Sequence, residues 1–169
     1  MGNTFYFDWE VQLIQWLQSG MGDFLTSIAA FITLFGENTI LVLVISFVYF
    51  CIDKNYGKFI ARNIAMGLVI NPLVKNIFVR RRPYFDNPGI KCLRKVQKSA
   101  DELDIAAQGF SFPSGHSMSS AIVYGSLYSY ERKKKALLVI AIIISLLVGL
   151  SRVMLGVHYP TDVITGWFL

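Results

Sequence analysis

The chain has 169 residues, 54% of them hydrophobic and 16% charged, with a mean hydropathy of +0.49. A soluble domain of this length carries about a quarter charged residues, so the composition disfavours an ordinary soluble enzyme. It excludes a disordered segment, a collagen-like repeat and a disulfide-stapled scaffold outright. What remains is a small integral membrane protein forming one domain over 1–169. The net charge of +5 in so apolar a chain speaks to topology and anionic lipid, and no nucleic-acid partner is expected. Cys51 lies in an apolar run and Cys92 in a polar loop, so neither a bridge nor a metal site is expected from them.

Residues 8–19 mix Val11, Leu13, Ile14, Trp16 and Leu17 with three glutamines. That pattern predicts a short helix with one apolar side, too polar to span a bilayer and suited to its interface, where Trp9 and Trp16 belong. Apolar runs follow at about 21–35, 39–52, 59–79, 117–130 and 136–155. Several are shorter than the ~20 residues of a perpendicular span, a deficit that tilt and local thinning can absorb. A sixth helix is expected to start near Pro160; ten residues rise only about 15 Å, so this span is truncated and the native chain is expected to continue past Leu169. The fold class is therefore all-α, a polytopic bundle of six transmembrane helices with the sixth cut short, plus the interfacial helix at 1–20.

One long polar insert, 80–112, interrupts the bundle. Loops of this length in a compact domain are functional or disordered. Its Lys91, Arg94, Lys95 and Lys98 are spaced to form one basic face of a short helix, which reads equally as a solvated face or as a landing strip for anionic headgroups.

Ionisable residues at the ends of apolar runs are costly to bury and are candidates for function. They fall in three clusters: Lys75 followed after six residues by Arg82-Pro83; Pro113-Ser114-Gly115-His116; and Ser151-Arg152, then His158, then Asp162. If successive helices alternate in direction, all three reach one membrane face. Lys75 and Arg82, two helical turns apart, offer a point charge and a planar fork to a phosphate; alone they read as a snorkelling pair. Pro113 is expected at the first position of a helix, leaving the backbone N–H groups of Ser114, Gly115 and His116 free to bind an anion. His158 with a carboxylate four residues on has the makings of an oriented nucleophile, since Asp162 can take a hydrogen bond from one ring nitrogen and leave the other to attack. Phosphoryl transfer needs little more than positioning, neutralisation of oxygens and an acid for the leaving group. No arrangement of His, Cys, Asp or Glu suggests a metal cage, and neither metal nor other cofactor is expected.

These three clusters resemble, in order and in full, the signatures of the type 2 phosphatidic acid phosphatase (PAP2) superfamily. The resemblance implies a single membrane phosphatase domain whose active site, including the 80–112 insert, faces the extracytoplasmic side of a bacterial plasma membrane. It implies that His158 is the nucleophile that becomes phosphohistidine, that Asp162 orients it and that His116 protonates the leaving group. Lys75, Arg82, Ser114, Gly115 and Arg152 would hold the phosphoryl oxygens; Ser151 fits the pattern without a role. The implied substrate is a lipid phosphate, such as phosphatidic acid, phosphatidylglycerophosphate or undecaprenyl diphosphate. Basic residues at Lys54, Lys58 and Arg132 to Lys135 agree with that orientation, while those of the insert oppose it. Transfer of phosphate to another acceptor uses the same site. An anion transporter accounts for the cations but not for the His–Asp pair, and a soluble vanadate-dependent haloperoxidase conflicts with the apolar runs. Nothing in the residues speaks to oligomeric state.

Overall fold

A computed structural model describes residues 5–169. Its regular elements are helical: α1 (Asp8–Ser19), α2 (Asp23–Ile32), α3 (Asn38–Phe47), α4 (Lys54–Phe78), α5 (Pro83–Asp86), α6 (Ile105–Gln108), α7 (Gly115–Tyr130), α8 (Lys135–Met154) and α9 (Pro160–Phe168). A 3₁₀ turn, Thr33–Gly36, extends α2 and a π-helical turn, Val48–Ile52, extends α3. The helices follow the order of the apolar runs. Asp53, just past the apolar run 39–52, caps α4: its Oδ1 accepts from Tyr56 N at 2.7 Å, satisfying one of the orphan donors of the first turn.

The outside of the bundle is apolar. Phe24, Phe31, Phe50, Val69, Ile77 and Leu146 are all exposed, a surface that suits hydrocarbon and that a water-soluble monomer avoids. Among the described residues, α8 is the one helix long and apolar enough by itself to cross a membrane, and Asn38–Ile52 forms a shorter apolar helix. α1 meets the α2 segment at a bend of 119°, so it does not continue α2 and instead packs against α8. Its Ile14 enters a core with Ile90, Leu155, Val157 and Tyr159.

α7 is the central element, in contact with α4, α8 and α9. Its buried side chains are mostly small, among them Ser117, Ser119, Ser120 and Ser126, which lets neighbouring backbones come close where no water-driven collapse holds helices together. One close backbone approach is at Gly166 of α9, where an added Cβ would lie 2.7 Å from the carbonyl oxygen of Ser114.

Two local expectations are corrected. The stretch 91–100 is irregular rather than a basic helix. Its backbone is claimed by a buried side chain from further along: Gln108 Oε1 accepts from Val96 N at 2.9 Å, and Gln108 Nε2 donates to Asp101 O at 3.0 Å. Arg94 turns inward and pairs with Glu37 instead of pointing to solvent. Second, α4 stops at Phe78, so Arg82 is not two turns along the same helix as Lys75. Val79 takes a left-handed conformation, φ +45°, uncommon for a β-branched residue. The chain reverses there and carries Arg80, Arg81 and Arg82 back over the bundle's end.

Candidate active site

The starts of α7 and α9 abut, because Ser114 N donates to Asp162 O at 2.9 Å. Ser114 is the cap residue of α7, and its Oγ accepts from Ser117 Oγ at 2.8 Å. Pro113 therefore lies one residue before the cap and not at the first helical position. The N–H of Ser114 is already committed, so the free anion donors of this helix start are Gly115 and His116. Asn71 of α4 braces the same turn through Nδ2 to Pro113 O at 3.4 Å.

Arg82 is held as a fork by backbone carbonyls from two loops. Its Nε donates to Gln108 O and Gly109 O, both at 3.0 Å, and its Nη1 to Val157 O at 2.9 Å. The same Nη1 stands 3.5 Å from His158 Nε2. Arg152, at the end of α8, is buried, with Nη1 donating to Thr33 Oγ1 at 3.1 Å; among the described residues its Nε has no hydrogen-bond partner. Lys75 faces the insert, with Nζ donating to Phe110 O at 2.7 Å. The three arginines in a row thus diverge. Arg82 goes to His158, Arg81 pairs with Asp86 at 2.6 Å, and Arg80 turns to the far side of Asp162.

His158 sits in the turn between α8 and α9 and is 2% exposed. Burial, then the charges of Arg82, Arg152 and Lys75, hold its pKa well below the usual imidazole value, so the ring is neutral at neutral pH. A neutral ring has a lone pair to offer. Asp162 Oδ2 lies 3.4 Å from His158 Nδ1, facing it but too far for a hydrogen bond; that oxygen accepts instead from Tyr159 N at 2.8 Å. The other carboxylate oxygen accepts from Arg80 Nη1 at 2.7 Å.

A cavity of 670 Å³ opens beside the cluster and is walled by the start of α3, the middle of α4, the 94–99 loop and the start of α7. Gly115, His116 and Arg152 line it, while His158, Arg82 and Asp162 are not among its lining residues. Lys75 borders a second cavity of 620 Å³ between α4 and the insert; Pro72 lines both. Among the described residues no three His, Cys, Asp or Glu side chains gather as a metal cage.

The family model of the PAP2 superfamily matches residues 57–169, a stretch that contains every residue of the three clusters. The chain belongs to the PAP2 superfamily. Phosphatidylglycerophosphatase B of Bacillus subtilis (strain 168) is 47% identical over 68 residues, covering 36% of this chain and 34% of that protein. The undecaprenyl-diphosphatase of Sulfolobus acidocaldarius is 28% identical over 117 residues, 69% of this chain and 50% of that one. The matches span half or less of the length of these curated relatives. Among solved structures, the transmembrane PAP2-type phosphatidylglycerolphosphate phosphatase of Bacillus subtilis superposes with a TM-score of 0.70 at 26% identity, over 94% of this chain and 77% of that chain. Aquifex aeolicus LpxE gives 0.80 at 21% identity, over 96% and 90%, a likeness of fold. The described residues thus form an all-helical bundle whose structural relatives are PAP2 membrane phosphatases.

Sequence reasoning missed Arg80, Thr161 and Glu10. Arg80 had one visible signal, namely three consecutive cations at the end of an apolar run where the pattern uses only one. Glu10 had none, because one acidic residue in an amphipathic helix looks like its solvated side.

Proposed function

We propose that the chain is a membrane lipid phosphatase that hydrolyses a phosphate monoester or diphosphate of a lipid through a phosphohistidine on His158. The observation that carries this reading is a buried imidazole with Asp162 Oδ2 3.4 Å from Nδ1 and Arg82 Nη1 3.5 Å from Nε2. Nε2 attacks phosphorus, the bond from phosphorus to the leaving oxygen breaks, and His116 gives that oxygen its proton. Asp162 stabilises the positive charge that His158 acquires. Water then attacks the phosphohistidine, giving its proton to His116, and inorganic phosphate leaves. Arg82, Arg152 and Lys75, with the N–H groups of Gly115 and His116, carry the charge on the phosphoryl oxygens. Fixed donors of this kind stabilise a transition state without reorganisation. These cations take the neutralising role that a metal fills elsewhere, so the proposed reaction is metal-independent.

The apolar exterior supports a bundle of membrane spans, proposed to number six, with α1 in the interface; the site is proposed to face the extracytoplasmic side. The 670 Å³ cavity, walled partly by α3 and α4, suits a lipid whose tail stays in the bilayer while its headgroup reaches His116. Phosphatidylglycerophosphate and undecaprenyl diphosphate, named in the relatives, and phosphatidic acid are the candidate substrates. The deciding experiment is phosphate release by detergent-solubilised protein over those three lipids, with an alkaline quench of ³²P-labelled substrate to trap the acid-labile, base-stable phosphohistidine. His158→Ala is expected to insert normally, to release no phosphate and to trap no label, and EDTA to leave the wild type active. Turnover by His158→Ala would remove the nucleophile, and EDTA-sensitive activity would restore the case for a metal.

A further inference from the structure

Asp162 is completely buried, and so is Glu10. Between them lies Arg80, 1% exposed, donating from Nη1 to Asp162 Oδ1 at 2.7 Å and from Nη2 to Glu10 Oε2 at 2.8 Å. The guanidinium is fixed on every side. Nε donates to Phe5 O at 2.8 Å, Nη1 also donates to Thr161 Oγ1 at 2.7 Å, and the ring of Tyr159 lies 4.1 Å from its centre. Glu10 does more than neutralise it. Glu10 Oε1 accepts from Thr161 N at 3.1 Å and Thr161 Oγ1 at 2.7 Å, so a carboxylate from α1 caps the first turn of α9, the turn that carries Asp162.

We propose that Arg80 and Glu10 are positioning residues for the His158–Asp162 pair, and that α1 thereby forms part of the active site's support. This rests on the phosphohistidine reading above. A carboxylate has two oxygens to place. Arg80 fixes Oδ1, which turns Oδ2 toward Tyr159 N and His158 Nδ1. Stapling α1 to the bundle does not call for this arrangement, since burying three charges costs several kcal/mol that apolar packing of equal volume avoids. The charge balance also has a chemical sense. Two carboxylates share one guanidinium, so Asp162 is anchored without being fully neutralised and keeps a negative field for the imidazolium formed at attack. Supporting groups of this sort orient the histidine ligands of metal sites, and their loss there costs about 10- to 100-fold.

The test compares Arg80→Met, Arg80→Lys, Glu10→Gln and His158→Ala in detergent, reading kcat and KM, thermal stability, and the side-chain ¹⁵N spectrum of His158. The chain has two histidines, so a His116→Gln background assigns that spectrum. Arg80→Met is expected to lower kcat about 100-fold with KM within about threefold, and to shift the tautomer balance of His158 away from the Nδ1–H form that faces Asp162. Arg80→Lys is expected to recover most of that loss, and Glu10→Gln to lose about tenfold in kcat. If Arg80→Met does not accumulate as folded protein, Arg80→Lys and Glu10→Gln decide. Wild-type kcat in the arginine and glutamate variants beside an inactive His158→Ala overturns this inference alone. So does a loss of kcat that follows thermal stability while the tautomer stays unchanged. Activity in His158→Ala overturns the underlying reading instead.

Discussion

Replacing Arg82 with methionine removes the cation that stands 3.5 Å from the proposed attacking nitrogen and leaves the carbonyls of Gln108, Gly109 and Val157 without the donor they share. A unit charge about 4 Å from a charge developing at phosphorus is worth ~4 kcal/mol at the effective dielectric constant of ~20 that describes protein sites. At 1.36 kcal/mol per decade that is about a thousandfold in kcat/KM. The pH dependence has a definite sign. Burial and then Arg82 are the leading causes that depress the His158 pKa, and attack requires the unprotonated ring. Without Arg82 that pKa climbs back toward the ordinary value, so the acid limb of kcat/KM moves to higher pH and the variant loses proportionally more activity at pH 6 than at pH 8. The assay is phosphate release from phosphatidylglycerophosphate in mixed micelles from pH 5 to 9. A variant within tenfold of wild type, with an unmoved acid limb, would refute the assignment of Arg82 to the phosphoryl group.

His116→Ala should cost most with a glycerol alkoxide leaving group and least with an activated aryl phosphate, which departs without a proton; equal losses on both, measured as kcat/KM, would end its role as the acid. Orthovanadate should inhibit competitively by mimicking five-coordinate phosphorus, an effect read from initial rates in a substrate titration. Gly166→Ala pushes a Cβ to 2.7 Å from Ser114 O and should destabilise the protein by about 1–3 kcal/mol, the usual cost of overpacking. A thermal melt in detergent equal to wild type would mean that α7 and α9 are free to separate.

The sequence carried the helical order and the three polar clusters, because hydrophobic run length and the expense of charges near the membrane are local signals. Contacts arising from chain reversals were hidden. Lys75 and Arg82 have helical spacing, and nothing in that spacing reveals the left-handed turn at Val79 that separates them. The basic spacing in 91–98 suggested a helix because residue period was the one clue available; a single buried glutamine, Gln108, outcompetes helical hydrogen bonding there, and its reach spans twelve positions. Pro113 was read two places too far into α7, at the first helical position that Gly115 holds. Ser114 is the better cap, since its hydroxyl satisfies the first turn and its N–H has a partner across the helix gap in Asp162. The network from Glu10 to Asp162 joins residues 152 positions apart, beyond any local pattern.

The bond from Ser114 to Asp162 and the bare contact at Gly166 have a mechanical consequence. They weld the two histidine-bearing segments into one stiff body, whose internal distances survive the arrival of a bulky lipid. Accommodation must then come from the opposite wall, where the 94–99 loop hangs from Gln108 and the Arg94–Glu37 pair. On the proposed reading, one side of the chamber would give way to a headgroup while the other keeps its shape to act on it.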